Sequence, residues 1–364
     1  MSIFGEKTMR LALHGVRDLS DEQARYVRQL GITDVNLNQH WQSLPGDVLG
    51  YDDLCRLKQK IESHGLSVPV LENVPLAFYD KIMLGLPGRE AQMDRLQQTI
   101  RNIGRAGIPI FGFHFMPTGV WRTNRPLRHA DDAPDTEPFD YRRAAPDFGV
   151  PQYETPRVAR GGAAVSTFDY TLVADAPPIL GRVVTEDELW ENFTWFIRHI
   201  MPVAEEVGLK ISMHPDDPVV PMLAGMAHPF RSFEAFRRAT EIANSPLFGV
   251  TFCLGNWTLM GMEDVRRGLD WFGPRGLIHY LHFQAVRGTP QRFEETFFDE
   301  SEVFYEVLKR LKALDFQGVI VPAHAPVMGR SSGPFEDPWA QDLQGLTHGI
   351  GFLQGLLHAI ERGA

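Results

Sequence analysis

Eight short apolar runs punctuate this chain, and the stretches between them carry helical periodicity. The runs read MRLALHGV, TDVNLNQH, LSVPVLENVP, IPIFGFHFMP, LKISMHPDDP, FGVTFCLGN, IHYLHFQAV and GVIVPAHAP. Strands that alternate with amphipathic helices imply parallel pairing through helical crossovers. Eight is the number that closes such a sheet on itself. The expected fold is therefore α/β, a (β/α)8 TIM barrel spanning residues 1–364 as a single domain. Helix ends support the reading: Ser20 precedes DEQARYVRQLG as an N-cap with acids in the first turn and Gly31 as the stop, and DDLCRLKQKIESHG ends the same way on Gly65. Thr185 with Glu188 three residues on has the form of a capping box.

One segment breaks the rhythm. From about Thr123 to Gly181 the chain is rich in Pro, Arg, Asp, Gly and Ala, with no clear period of 2 or 3.6. So long an excursion after the fourth strand is expected to be a lid-like insertion over the catalytic end, with a plain surface insertion as the alternative.

Composition narrows the function. With 364 residues, 43% of them hydrophobic, the chain can bury one large core. A formal net charge of -10 argues against nucleic acid or an anionic membrane as partner. Two cysteines, Cys55 and Cys253, make no disulfide framework and suit a reducing compartment. No run approaches the roughly 18 apolar residues of a membrane span, so the expected location is cytoplasmic. No glycine fingerprint for phosphate or dinucleotide opens a helix.

In a barrel the carboxyl ends of the strands converge, so the residues found there carry the chemistry. His214, Cys253 and His282 sit at three successive strand ends, and His324 follows at the last. Imidazole, thiolate and imidazole form a borderline-soft ligand set for a divalent ion. His14, Asn38 and Glu72 end other strands and are expected to line the pocket. Asp216 and Asp217 would orient ligands, or simply form a turn. Trp41, Phe113, Phe115, Trp121, Trp257 and Phe283 lie in or near strand ends, where aromatic faces could stack on a ring-containing substrate. For Phe113 and Phe283 alternation fits a core position equally well.

Several motifs, in order and spacing, resemble the mannonate dehydratase family: NVPL…KIMLG, TIRNIGRAGIPIFGFHFMPTGVWRT, FIRHIMPVAEEVGLKISMHPDDPVVPML, VTFCLGNW and IHYLHF. The similarity runs over most of the chain and is weakest in the insertion and after His324. It implies a β/α barrel, a manganese-type divalent ion (zinc, cobalt or iron would also suit the thiolate), and removal of water from a sugar acid to leave a 2-keto-3-deoxy acid. It also implies that His214, Cys253 and His282 are metal ligands and that His324 is the catalytic histidine. This chain departs from the family pattern at Ala323, where a ligand Asp is usual, at Gln284 and Ala285, where Arg and Asp are usual, and beyond His324, where Phe335 is the nearest aromatic to an expected Tyr. Gln284 cannot supply the bidentate fork with which Arg holds a carboxylate. The substrate is accordingly expected to be less anionic than mannonate, with His114, Trp121, Arg122, Gln284, Glu72 and Lys81 as its contacts and Arg125 as a further cation.

The leading expectation is a metal-dependent lyase that eliminates water, or another β-leaving group, from a sugar acid or related polyhydroxylated carbonyl compound. A sugar isomerase, epimerase or eliminase of the xylose-isomerase-like barrels is the alternative, and a sugar-binding barrel without catalysis is the third. The partner would be a small carbohydrate-derived molecule, and a homo-oligomer remains open.

Overall fold

A computed structural model describes residues 9–14, 19–38, 47–123, 157–328 and 338–363. Eight parallel strands close into a barrel in sequence order: β1 Arg10–Leu13, β2 Asp34–Asn38, β3 Ser67–Glu72, β4 Ile110–Phe113, β5 Lys210–Met213, β6 Phe248–Cys253, β7 Ile278–Phe283 and β8 Val319–Pro322. Closure is made by β1 and β8, with Arg10 beside Val319 and Leu11 beside Ile320. The principal helices are α1 Asp21–Gln29, α2 Tyr51–Ser63, α3 Arg89–Arg105, α4 Glu186–Val207, α5 Phe233–Ala243, α6 Met262–Phe272, α7 Phe304–Ala313 and α8 Pro338–Glu361. The expected (β/α)8 barrel is the observed fold. Among the described residues no helix is long and apolar enough to cross a membrane.

Both predicted caps form. Ser20 Oγ accepts from the Gln23 backbone N–H while Gln23 Oε1 accepts from that of Ser20, and Thr185 and Glu188 make the same reciprocal pair at α4. Each satisfies donors that a helix start leaves without partners.

Parallel strands covered on both faces read as near-continuous apolar runs, so parity decides which side each residue takes. Ala12, Val70, Ile110, Tyr280, Val319 and Val321 form a small cluster of their own inside the barrel. Their neighbours Leu11, Leu71, Phe111, Leu281 and Ile320 belong to the large core between strands and helices. Counting by twos from the inner set leads to His14, Glu72, Gly112, His114, His282 and Ala323. Phe113 and Phe283 have the outer parity and lie in the helix-facing core.

The segment from 123 to 181 lies partly outside the described residues. Its returning limb is not structureless, as its composition suggested. Strand Thr167–Asp169 pairs antiparallel with Arg292–Glu295, which pairs in turn with Val286–Thr289, giving a three-stranded sheet beside the mouth. Phe168 lies opposite Phe293, their ring centroids 5.5 Å apart. Cross-strand apolar pairs of this kind hold register even where sequence periodicity is weak.

Candidate metal centre and the residues around it

His214 directly follows β5, Cys253 ends β6, and His282 lies next to the end of β7. The barrel brings their ligand-type atoms within 4.8 Å of one another, with all three residues buried. His214 Nδ1 lies 2.8 Å from the Pro215 carbonyl, which can only accept, so the proton is on Nδ1 and the lone pair on Nε2. His282 Nε2 lies 3.1 Å from Glu72 Oε2, which leaves Nδ1 as the lone-pair nitrogen once the carboxylate has taken the N–H. Among the described residues that buried Nδ1 has no hydrogen-bond partner. A buried polar atom left unpaired costs about 1–3 kcal/mol, and a cation would offset it. The donors therefore fit a divalent ion.

Burial pushes the Cys253 thiol well above its ordinary pKa, so without an ion it is a neutral donor, within reach of Asn256 Oδ1 at 3.0 Å and Gln284 Oε1 at 3.1 Å. Burial also lowers His214 well below the usual imidazole value, helped by the neighbouring His114 and His282. A neutral imidazole and an ionisable thiol are the forms a metal requires.

Glu72 ends β3 and is 2% exposed. Burial alone would raise its pKa, but the charge and hydrogen bond of His282, with His14 and the Tyr280 hydroxyl, outweigh that and hold it well below the carboxylate range. Tyr280 donates to Glu72 Oε2. His14 Nδ1 lies 3.6 Å from Glu72 Oε1, so His14, Glu72 and His282 form a second grouping of ligand type that shares His282. A carboxylate behind a ligand histidine fixes its tautomer and ring orientation. The sequence placed Glu72 against substrate; among the described residues it accepts hydrogen bonds from Tyr280 and His282.

His114 follows β4 with Nδ1 2.6 Å from Asn73 Oδ1 and its ring centroid 4.1 Å from that of His214. Burial lowers its pKa to about 4. His324 follows β8, and its Nδ1 lies 2.7 Å from Glu295 Oε1. Glu295 also receives Arg122 Nε at 2.9 Å and Gln284 Nε2 at 3.1 Å. The Arg122 guanidinium is forked on Asp217 at 2.6 and 2.9 Å. Burial works against its charge, but the two carboxylates raise its pKa further still.

Several expected substrate contacts have partners within the protein. Arg122 and Gln284 are buried and bonded to protein groups. Trp121 is buried and its indole N–H donates to the Thr118 carbonyl. Lys81 is exposed on the short helix Asp80–Leu84 and packs over Gly88 at the head of α3 rather than joining this cluster. Of the rim aromatics, Phe113, Phe115, Trp121, Trp257 and Phe283 pack in the core, and Trp257 lies flat on Phe252 at 4.4 Å. Asp216 caps the Phe230 N–H, and its carbonyl accepts from Asn256, whose Oδ1 faces the thiol. Asp217 serves Arg122. Trp41, Arg125 and Phe335 lie outside the described residues.

The sequence did not single out Glu295, Asn73, Tyr280 or Asn256. Tyr280 was within reach, since it shares the parity of His282 two residues on. Glu295 becomes a site residue only through the hairpin after β7.

Fold and mouth together define a barrel enzyme with its chemistry gathered at the carboxyl ends of parallel strands. The D-mannonate dehydratase (UxuA) family model matches residues 9–364. The chain belongs to that family, which is one of hydro-lyases. Similar curated proteins include the mannonate dehydratase of Thermotoga maritima, 27% identical over 337 residues with 87% of this chain and 88% of that one covered. That of Geobacillus thermodenitrificans is 28% identical over 325 residues, covering 87% and 85%. Among solved structures, mannonate dehydratase from Streptococcus suis superposes with a TM-score of 0.79 at 23% identity, over 98% of this chain and 95% of that one.

Proposed function

We propose that this chain is a metal-dependent sugar-acid dehydratase in which His214, Cys253 and His282 hold the ion and His324 moves the proton. The observation that carries this reading is the convergence of those three donors within 4.8 Å, together with the buried, unpartnered Nδ1 of His282. Manganese is the expected ion, with zinc, cobalt or iron accepted because of the thiolate. When bound, the ion supplies positive charge for the negative charge that develops beside the substrate carboxyl group during elimination.

The residues do the rest. Glu72 holds His282 in one orientation. His324, with Nδ1 against Glu295, exchanges a proton at Nε2, either taking it from carbon or delivering it to the departing hydroxyl. His114 stays neutral at working pH, because burial holds it near 4, and so offers an uncharged nitrogen to a substrate hydroxyl. Among the described residues of this cluster the guanidinium belongs to Arg122, and Asp217 and Glu295 occupy it. Among the described residues of the cluster the substrate carboxylate therefore meets no free cationic side chain, and Arg122 does not supply it the charge-assisted bonds worth about 1.5–3 kcal/mol. D-mannonate is on this reading a slow substrate, and a differently configured sugar acid the faster one.

The test combines metal analysis with a panel of C5 and C6 aldonates, scored by appearance of 2-keto-3-deoxy acids. About one ion per chain is expected, with most of it lost in Cys253→Ala, and with some other sugar acid dehydrated faster than D-mannonate. Full metal content and full activity in Cys253→Ala would sink the centre. D-mannonate turnover at rates ordinary for an enzyme, on the order of 1–10³ per second, would sink the substrate reading.

A further inference from the structure

The Glu295 carboxylate gathers more hydrogen-bond donors than its place on a surface hairpin would suggest. It is 2% exposed, and Arg122 Nε, Arg122 Nη2, Gln284 Nε2 and His324 Nδ1 reach its Oε1 at 2.9, 2.8, 3.1 and 2.7 Å. Arg122 also bonds Asp217, so among the described residues two buried carboxylates share its guanidinium. Of the described groups on Glu295, the His324 imidazole is the one whose proton can sit on either of two nitrogens.

We propose that Glu295 is the positioning residue for His324: it keeps a proton on Nδ1 and so assigns proton exchange with substrate to Nε2. The inference deepens the reading of His324 as acid and base and rests on it. An ionised carboxylate only accepts, so the Nδ1 that faces it must donate. The Gln284 amide cannot reverse without loss, because its Oε1 faces the Cys253 thiol and its Nε2 faces Glu295. Glu295 is itself fixed by the hairpin: its N–H donates to the Ser166 carbonyl at 2.9 Å, and it pairs with Val286 across the ladder. The His324 backbone completes the arrangement. Ala323 holds the inner parity of β8, so in a continuing strand His324 would face the helices. Its φ of +55, in the left-handed region that few side chains adopt, turns the chain instead and puts the imidazole on Glu295.

The first measurement needs no variant. Long-range 1H–15N correlation spectra of the zinc-loaded protein, with the His324 signals assigned by their loss in His324→Asn, report which nitrogen carries the proton. The neutral Nδ1–H tautomer is expected, and a neutral Nε2–H tautomer overturns the proposal. Glu295→Gln then tests the consequence, since an amide can either accept from or donate to Nδ1. It should reduce kcat for the best sugar acid of the panel by about 10²-fold or more, with KM and metal stoichiometry close to wild type. It should also populate the other tautomer. Glu295→Asp should recover part of the loss. Wild-type kcat in Glu295→Gln overturns the proposal when His324→Asn is inactive. Wild-type turnover in His324→Asn instead overturns the acid–base reading, and the wild-type tautomer still decides the role of Glu295 by itself.

Discussion

On the proposed reading, Cys253 is the side chain on which ion binding turns. Its buried thiol is held neutral by burial, yet a metal needs the thiolate, so binding has to expel a proton. Calorimetric titration of the metal-free protein with Mn2+ at pH 7, in two buffers of different ionisation enthalpy, should show about one proton released per ion. Heats independent of the buffer would mean that the thiol does not bind the ion. His324 should behave in the opposite way: His324→Asn is expected to lower kcat by about 10²–10⁴-fold while the ion stays bound, and loss of metal along with activity would make His324 a ligand. At this scale the sequence was legible where strand parity ruled. His214, Cys253, His282 and Glu72 could be placed from the strand ends alone, because inner positions of parallel strands converge. For Arg122 and Gln284, read from the sequence as substrate contacts, the protein partners Asp217 and Glu295 were not legible because they come from other loops and no local pattern joins them.

Among the elements, β4 carries a constraint that only the barrel reveals. Gly112 has the inner parity, and a Cβ there would overlap Tyr280 Oη and lie 2.9 Å from Glu72 Cβ. The missing side chain is what lets the Tyr280 hydroxyl reach across the barrel to Glu72. Gly112→Ala should cost about 1–3 kcal/mol as an overpacked core substitution. Because Glu72 orients His282, it should also weaken Mn2+ binding, which titration of the folded variant would measure. Unchanged affinity in a destabilised variant would separate Glu72 from the ion. The hairpin after β7 and the limb that returns to it carry the least readable part of the site. RFEETF alternates, but nothing local says that it pairs with TFD more than a hundred residues earlier. That limb looked irregular because its strand is only three residues long, too short to show a period. Barrel strands and capped helices were read correctly because each carries its own signal.

At the scale of the molecule, several deeply buried histidines are held uncharged, and this shapes its response to acid. His228 and His279 lie outside the ligand cluster, and burial lowers them from 6.5 to about 4 and about 3. His228 bonds Thr118 and the Pro218 carbonyl, whereas neither nitrogen of His279 has a partner among the described residues. Between pH 6.5 and about 4 the unfolded chain binds a proton at each of these positions and the folded chain does not. Stability is therefore intact above 6.5 and falls as pH drops through that window, by about 1.4 kcal/mol per pH unit for each histidine. Paired carboxylates act in the same direction only at lower pH, once their own protonation begins. Urea unfolding with EDTA present, so that ion release makes no contribution, should show the folded state weakened between pH 7 and 5. His279→Leu exchanges an unsatisfied imidazole for an apolar side chain of similar size, so it should leave the variant less sensitive to pH by about 2 kcal/mol over that range. Parallel pH profiles for wild type and His279→Leu would show that His279 is protonated as readily in the folded chain as in the unfolded one.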